Sequence, residues 1–117
     1  MAIPSGYGTE VLKRTGSTLQ NEIKSVLVVP TDHICTILSF TLNVDGTGTA
    51  SFYVQISDGT SPEKRILRMP SGLTDHQTFI WNDKLVLNSG DILKFEESAN
   101  VACKYWISYI DQDWDSS

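Results

Sequence analysis

Cys35, Cys103, His33 and His76 are the side chains of this sequence that could supply a nucleophile, a base or a soft metal ligand. Nucleophilic catalysis needs a Ser, Cys or Thr beside an oriented base. No G-x-S-x-G elbow occurs, so the residue types leave only Cys103 with His33 or His76. Both cysteines stand in apolar, strand-like runs, where a thiol behaves as a small hydrophobe. No CxxC is present, and the two histidines lack ligand spacing, so no metal site is expected. A disulfide between Cys35 and Cys103 stays open only if their strands are neighbours at suitable Cα separation.

Acidic residues give no better chemistry. Thr-Asp-His opens both "TDHICTIL" at 31–38 and "TDHQTFIW" at 74–81, which suggests Asp32–His33 and Asp75–His76 as acid/base pairs. Adjacent strand residues point to opposite faces, so the better reading is turn residues ahead of two similar strands. Glu96 and Glu97 diverge in the same way, which is not the geometry of a glycosidase pair. "DGTGT" lacks the lysine and helix of a phosphate loop. Asp111, Asp113 and Asp115 alternate like the start of a calcium loop, but its glycine and closing glutamate are missing. The expectation is a protein that is not an enzyme, with no catalytic residue, cofactor or metal.

The elements that carry these residues are strands. From His33 to Val44, even positions hold Ile34, Leu38, Phe40, Leu42 and Val44, and odd positions hold Ser39, Thr41 and Asn43. That period of two is a half-buried antiparallel strand. Asp45-Gly46 then turns the chain into Phe52, Val54 and Ile56, a hairpin signal. A second hairpin is expected in "WNDKLVLNSGDILKF", with Leu85–Leu87 and Ile92–Phe95 on either side of Asn-Ser-Gly-Asp. Val101, Cys103, Tyr105, Ile107 and Tyr109 form the apolar face of a long last strand, which turns Trp106 away from the core. Leu19, Ile23 and Leu27 would suit a helical turn or two, but the β-branched run from Val26 and Pro30 follow at once. Further strands are read at 10–14, 25–29, 65–69, 78–81 and 84–88. About eight short strands predict an all-β antiparallel sandwich, jelly-roll-like. The division expected is a flexible arm at 1–8, the sandwich at 9–110, and an acidic tail at 111–117.

Bulk properties narrow the partners. A chain of 117 residues is one domain, large enough for a core without staples. A net charge of −5, with nine scattered Lys and Arg, argues against nucleic acid and against anionic membrane surfaces. No run of 18 apolar residues, secretory core near Met1 or N-x-[ST] sequon occurs, so cytosolic synthesis is expected.

"GTEVLKRT", "VPTDHICTILSFTLNV", "FYVQISDG", "WNDKLVLNSGDILKF" and "SYIDQDW" together resemble small virion proteins of tailed bacteriophages, from about Gly6 to Trp114. The resemblance implies a β-sandwich that works in a particle assembled in the host cytoplasm. Its partners would be the major capsid protein or other virion proteins, and it would act as a homo-oligomer, trimer or dimer. Lack of heptads and long repeats suits a capsid decoration or cement protein better than a tail, collar or fibre component. Tyr7, Trp106 and Trp114 are the expected interface anchors. The rival expectation is a carbohydrate- or receptor-binding module using Tyr53, Trp106 and Tyr109 as a stacking platform.

Overall fold

The computed structural model describes residues 9–58 and 64–114. Nine strands are present among them: β1 (Thr9–Leu19), β2 (Glu22–Val28), β3 (His33–Val44), β4 (Thr49–Ser57), β5 (Lys64–Thr74), β6 (Thr78–Trp81), β7 (Leu85–Leu87), β8 (Ile92–Glu97) and β9 (Cys103–Asp113). Sheet A runs β1-β9-β3-β6, with β7 also paired to β3, and sheet B runs β2-β8-β4-β5. Every pairing is antiparallel.

One regularity organises this order. β1 pairs β9, β2 pairs β8, β3 pairs β6 and β7, and β4 pairs β5. The first half of the chain therefore runs back along the second as one long folded hairpin with β4–β5 at its tip. Winding that hairpin brings β9 against β3 and β8 against β4, closing two sheets over one core. This is the expected all-β sandwich, jelly-roll-like in its strand order, with β6 and β7 forming one interrupted strand.

The core lies where the inward faces meet. Phe40 stacks on Trp81 at 5.5 Å between centroids and tilts against Phe95 at 5.0 Å, and Tyr105 meets Phe95 edge-on at 5.4 Å. Ile37, Leu42, Phe52, Val54, Leu87, Leu93 and Ile107 fill the space around them. Burial on this scale, at roughly 25 cal/mol per Å² of apolar surface, is the main term holding the sheets together.

Several local expectations are corrected. Neither expected hairpin forms: Asp45-Gly46 and Asn88–Asp91 both turn the chain from sheet A into sheet B. The turn chemistry is real, since Gly90 has φ 85° and Asn88 N donates to Asp91 Oδ2 at 2.9 Å. It bends the chain without pairing the flanking strands. In β3, a bulge between Ile37 and Ser39 shifts the alternation, so Cys35 and Ile37 face inward while Ile34 and Leu38 turn out. Last, the expected boundary at residue 110 falls inside β9, which continues to Asp113 because β1 and β3 extend equally far. The stretch expected to allow helix is strand, broken at Asn21 by a positive φ of 47°.

Candidate functional site

The outer face of sheet A is the surface best placed to meet a partner. Strand register builds it from cross-strand rows. Leu12, Ile110, Thr36 and Val86 form one row across β1, β9, β3 and β7. Gly16, Trp106, Thr41 and Ile80 form a second across β1, β9, β3 and β6. Leu12 is 71% exposed and Trp106 47%, and Ile80 and Val86 are exposed too. Apolar side chains held in solution on a rigid sheet mark an interaction surface when they line up in this way.

Between the rows lies a trough. Leu12, Lys13, Arg14, Leu38, Ser39 and Ser108 line it, around a volume of about 510 Å³. The bulge in β3 is what presents Leu38 here. A second depression of about 300 Å³ lies beyond Trp106, bordered by Thr18, Thr41, Asn43 and Lys104. The Asn43 side-chain oxygen is buried there without a hydrogen-bond partner among the described residues.

Trp106 is fixed by its neighbours on β1. Gly16 stands opposite it, and a Cβ there would fall 2.2 Å from the indole Cε3 and 2.8 Å from the Tyr105 carbonyl. Absence of a side chain thus lets the ring lie down over the edge strand. The Arg14 guanidinium sits 5.6 Å from the ring centroid.

The outer face of sheet B differs. Arg65 stacks over Tyr53 at 4.6 Å and pairs with Glu96 at 3.3 Å, beside Lys94 and Arg68. Charged ladders of this kind favour water, although Ile23 and Val28 are exposed on β2 at its edge.

Of the residues singled out for chemistry, His33, Cys35 and Asp111 come together at one end of the sandwich. The Asp111 carboxylate accepts from Lys13 Nζ at 2.8 Å and pairs with His33 Nδ1 at 2.7 Å, while Cys35 Sγ lies 3.7 Å away. Burial pushes the Asp111 carboxyl up, but the Lys13 and His33 hydrogen bonds and charges outweigh it and hold the group below its ordinary range. Burial first, and then the neighbouring carboxylate, push the Cys35 thiol up to about 11. A protonated, 1% exposed thiol that contacts a carboxylate rather than a free imidazole is no activated nucleophile. Cys103, pushed up to about 12 chiefly by burial, pairs across from Val44 at the far end of β9. Most of the strand's length separates the two thiols, so they cannot bridge one another. Both are free. Among the described residues no group of His, Cys, Asp and Glu could hold a metal ion.

The two Thr-Asp-His segments serve as turns. Asp32 and His76 both adopt positive φ, 65° and 60°, and Asp75 Oδ1 accepts from Gly48 N at 2.7 Å. Of the expected anchors, Tyr7 lies outside the described residues. Trp106 sits mid-face as its phase in β9 implies. Trp114 follows the end of β9, its backbone N–H donating to the Asp32 carbonyl at 2.8 Å and its indole nitrogen buried without a partner among the described residues. The two tryptophans thus do not share a site. The sugar platform is corrected: Tyr53 belongs to sheet B, and Tyr109 pairs with Lys13 and Ile37 on the inner side of sheet A, so neither stands beside Trp106.

Sequence reasoning missed two buried carboxylates. Asp111 continues the inward phase of Cys103, Tyr105, Ile107 and Tyr109, a signal available in the alternation itself. Glu97 accepts backbone N–H bonds from Asn21, Ala99 and Val101 at 2.9, 2.7 and 3.0 Å, and from Ser51 at 3.4 Å. No sequence pattern announces that cradle, because its donors come from three separate segments.

No protein-family model and no curated protein matches this chain. Among solved structures it is similar to a chain of the acidic stable capsid structure of Helicobacter pylori bacteriophage KHP30. The TM-score is 0.63 at 16% identity, covering 89% of this chain and 93% of that one. It is also similar to a chain of the Bacillus endospore appendages described as a novel family of disulfide-linked pili. There the TM-score is 0.50 at 15% identity, covering 98% and 97%. A pentameric capsid protein from metagenomic phage sequences aligns with TM-score 0.48 at 15% identity. At these identities the likeness establishes the fold.

Proposed function

We propose that this chain is a non-enzymatic structural protein of a phage particle, a decoration protein that docks on the outside of the capsid through the outer face of sheet A. The observation that carries the reading is the pair of apolar rows, Leu12–Ile110–Val86 and Trp106–Ile80, flanking a trough lined in part by Ser39 and Ser108. Apolar rows supply desolvation on contact, and the trough accepts a partner's side chain between them. The likeness to a chain in a phage capsid structure supports it, all the more because coverage near nine-tenths of both chains makes that chain similarly small. A subunit that binds only the assembled shell stabilises it by mass action, multiplied over the lattice.

The likeness to disulfide-linked pili invites a filament reading. Cys35 and Cys103 argue against it, since both are buried and neither is offered to a neighbouring subunit. A glycan-binding reading loses its support with the platform, which leaves Trp106 as a lone ring.

The test is binding of purified protein to phage shells stripped of accessory proteins. Saturable binding is expected, abolished by pairing Trp106→Ala with Ile80→Ser, with no signal on a glycan array. Binding indifferent to both substitutions, or a strong glycan signal lost with Trp106, would refute the proposal.

A further inference from the structure

We infer that β1 is a self-complementary edge, and that two copies of this chain join through it in an antiparallel, two-fold pair that makes sheet A continuous across the dimer. This inference concerns the chain's own oligomer and does not rest on the particle reading above.

Among the described residues, β1 ends the order of sheet A and its ladder is to β9 alone. Alternate N–H and C=O groups of such a strand point away from the sheet, a template for another strand. The Thr18 carbonyl at its upper end is taken by Lys24 Nζ at 2.7 Å. Lower down, Glu10, Val11, Leu12, Lys13 and Arg14 are exposed in unbroken succession, on both faces of the strand. Val11, on the inward face, is 48% exposed. Two exposed aliphatic residues side by side on a long edge strand are what edge protection ordinarily avoids.

The charges decide which strand fits. An antiparallel copy centred on Leu12 places Leu12 against its own equivalent and Val11 against the stem of the partner copy's lysine at position 13. In that register Glu10 of each copy faces the arginine at position 14 of the other. Two equivalent Glu–Arg ion pairs thus flank a leucine pair on one face, all generated by the two-fold axis. Neighbouring registers of the same parity set Val11 against itself with no charge pairing, or Lys13 against Lys13. Among the described residues neither Glu10 nor Arg14 has an ion-pair partner: Glu10 accepts from Gln112 at 3.2 Å, and Arg14 rests over Trp106. Both are free to turn to a second copy.

The pairing extends the outer face of sheet A as well. Leu12 from each copy would meet at the axis, joining the two Leu12–Ile110–Val86 rows into one continuous band. Trp106 and Ile80 stay uncovered on each side, available to a different partner.

Sedimentation equilibrium of the full chain tests this with charge swaps. The parent is expected to show a concentration-dependent species of twice the 13.0 kDa chain mass. E10R and R14E alone should each weaken it about tenfold or more, since symmetry turns two attractions into two repulsions. E10R combined with R14E in the same chain should restore it, which no folding defect can mimic; E10R also leaves the Arg14–Trp106 contact in place. A parent that stays monomeric, a dimer indifferent to the single swaps, or a double swap without rescue overturns the inference. So does a monomer whose binding to shells is lost on Leu12→Pro, because the edge then receives a strand from another protein. Dimerisation and shell binding are read separately, so loss of one leaves the other standing.

Discussion

Glu97→Gln is the substitution whose effect follows most directly from the geometry. The carboxylate is 1% exposed and ties the β1–β2 turn, the start of β4 and the β8–β9 loop through backbone N–H donors. Oε1 accepts from Asn21 and Val101, and Oε2 from Ser51 and Ala99. A glutamine keeps the shape but replaces one oxygen with a donor. Whichever way the amide turns, two N–H groups lose their acceptor and face another N–H. Hydrogen bonds to a charged group contribute about 1.5–3 kcal/mol each. Relief of burying a charge offsets part of the loss, leaving about 3 kcal/mol. With an unfolding entropy of roughly 2.1 cal/mol/K per residue, that lowers the Tm by about 12 °C. Calorimetry and urea unfolding should agree, with the midpoint lowered at unchanged slope. A Glu97→Gln protein that melts within about 2 °C of the parent would refute the cradle as a staple of this end of the sandwich.

Other consequences follow. Because the Asp111 carboxyl is held below its ordinary range, the stability it contributes is full above that range and drains as pH falls through the lowered value. Asp111→Asn should therefore cost about 1–3 kcal/mol at neutral pH, and its stability should fall less steeply than the parent's below about pH 4 in acid-unfolding curves. Gly16→Val should lift the Trp106 indole off β1, shifting its fluorescence to the red; an unchanged spectrum would contradict the close contact. Cys35 and Cys103 should react with a thiol reagent at neutral pH only as fast as the protein opens, because both thiols are buried and held protonated. Rapid labelling of either one under native conditions would overturn that.

The inward phase of β9 and β4 was legible from alternation, as was the outward turn of Trp106, because one face of each strand must meet the core. What misled was local turn chemistry. Asp45-Gly46 and Asn-Ser-Gly-Asp bend the chain equally well whether the next strand pairs with the last or crosses to the opposite sheet. That choice is made by long-range partners: β9 takes the place beside β3, and β2 and β4 flank β8. The β3 bulge was hidden because "ICTILSF" offers apolar residues in both phases, Ile34 and Leu38 in one and Cys35 and Ile37 in the other. The trough on sheet A depends on that bulge and on three strands in register, so no single segment could disclose it. Asp111 was readable in principle; its acidic neighbours made a solvated tail the easier reading, whereas Lys13 and His33, remote in sequence, hold it inside.

If this chain grips a phage shell through sheet A as proposed, its place in the particle must show it. The most direct measurement is the location of its density in a reconstruction of the particle that carries it. Density is expected to repeat over the capsid surface in fixed ratio to the shell subunits, with Trp106 and Ile80 buried against them and sheet B facing solvent. Density confined to the tail or collar, or a shell contact made through sheet B with Trp106 left in water, would contradict it.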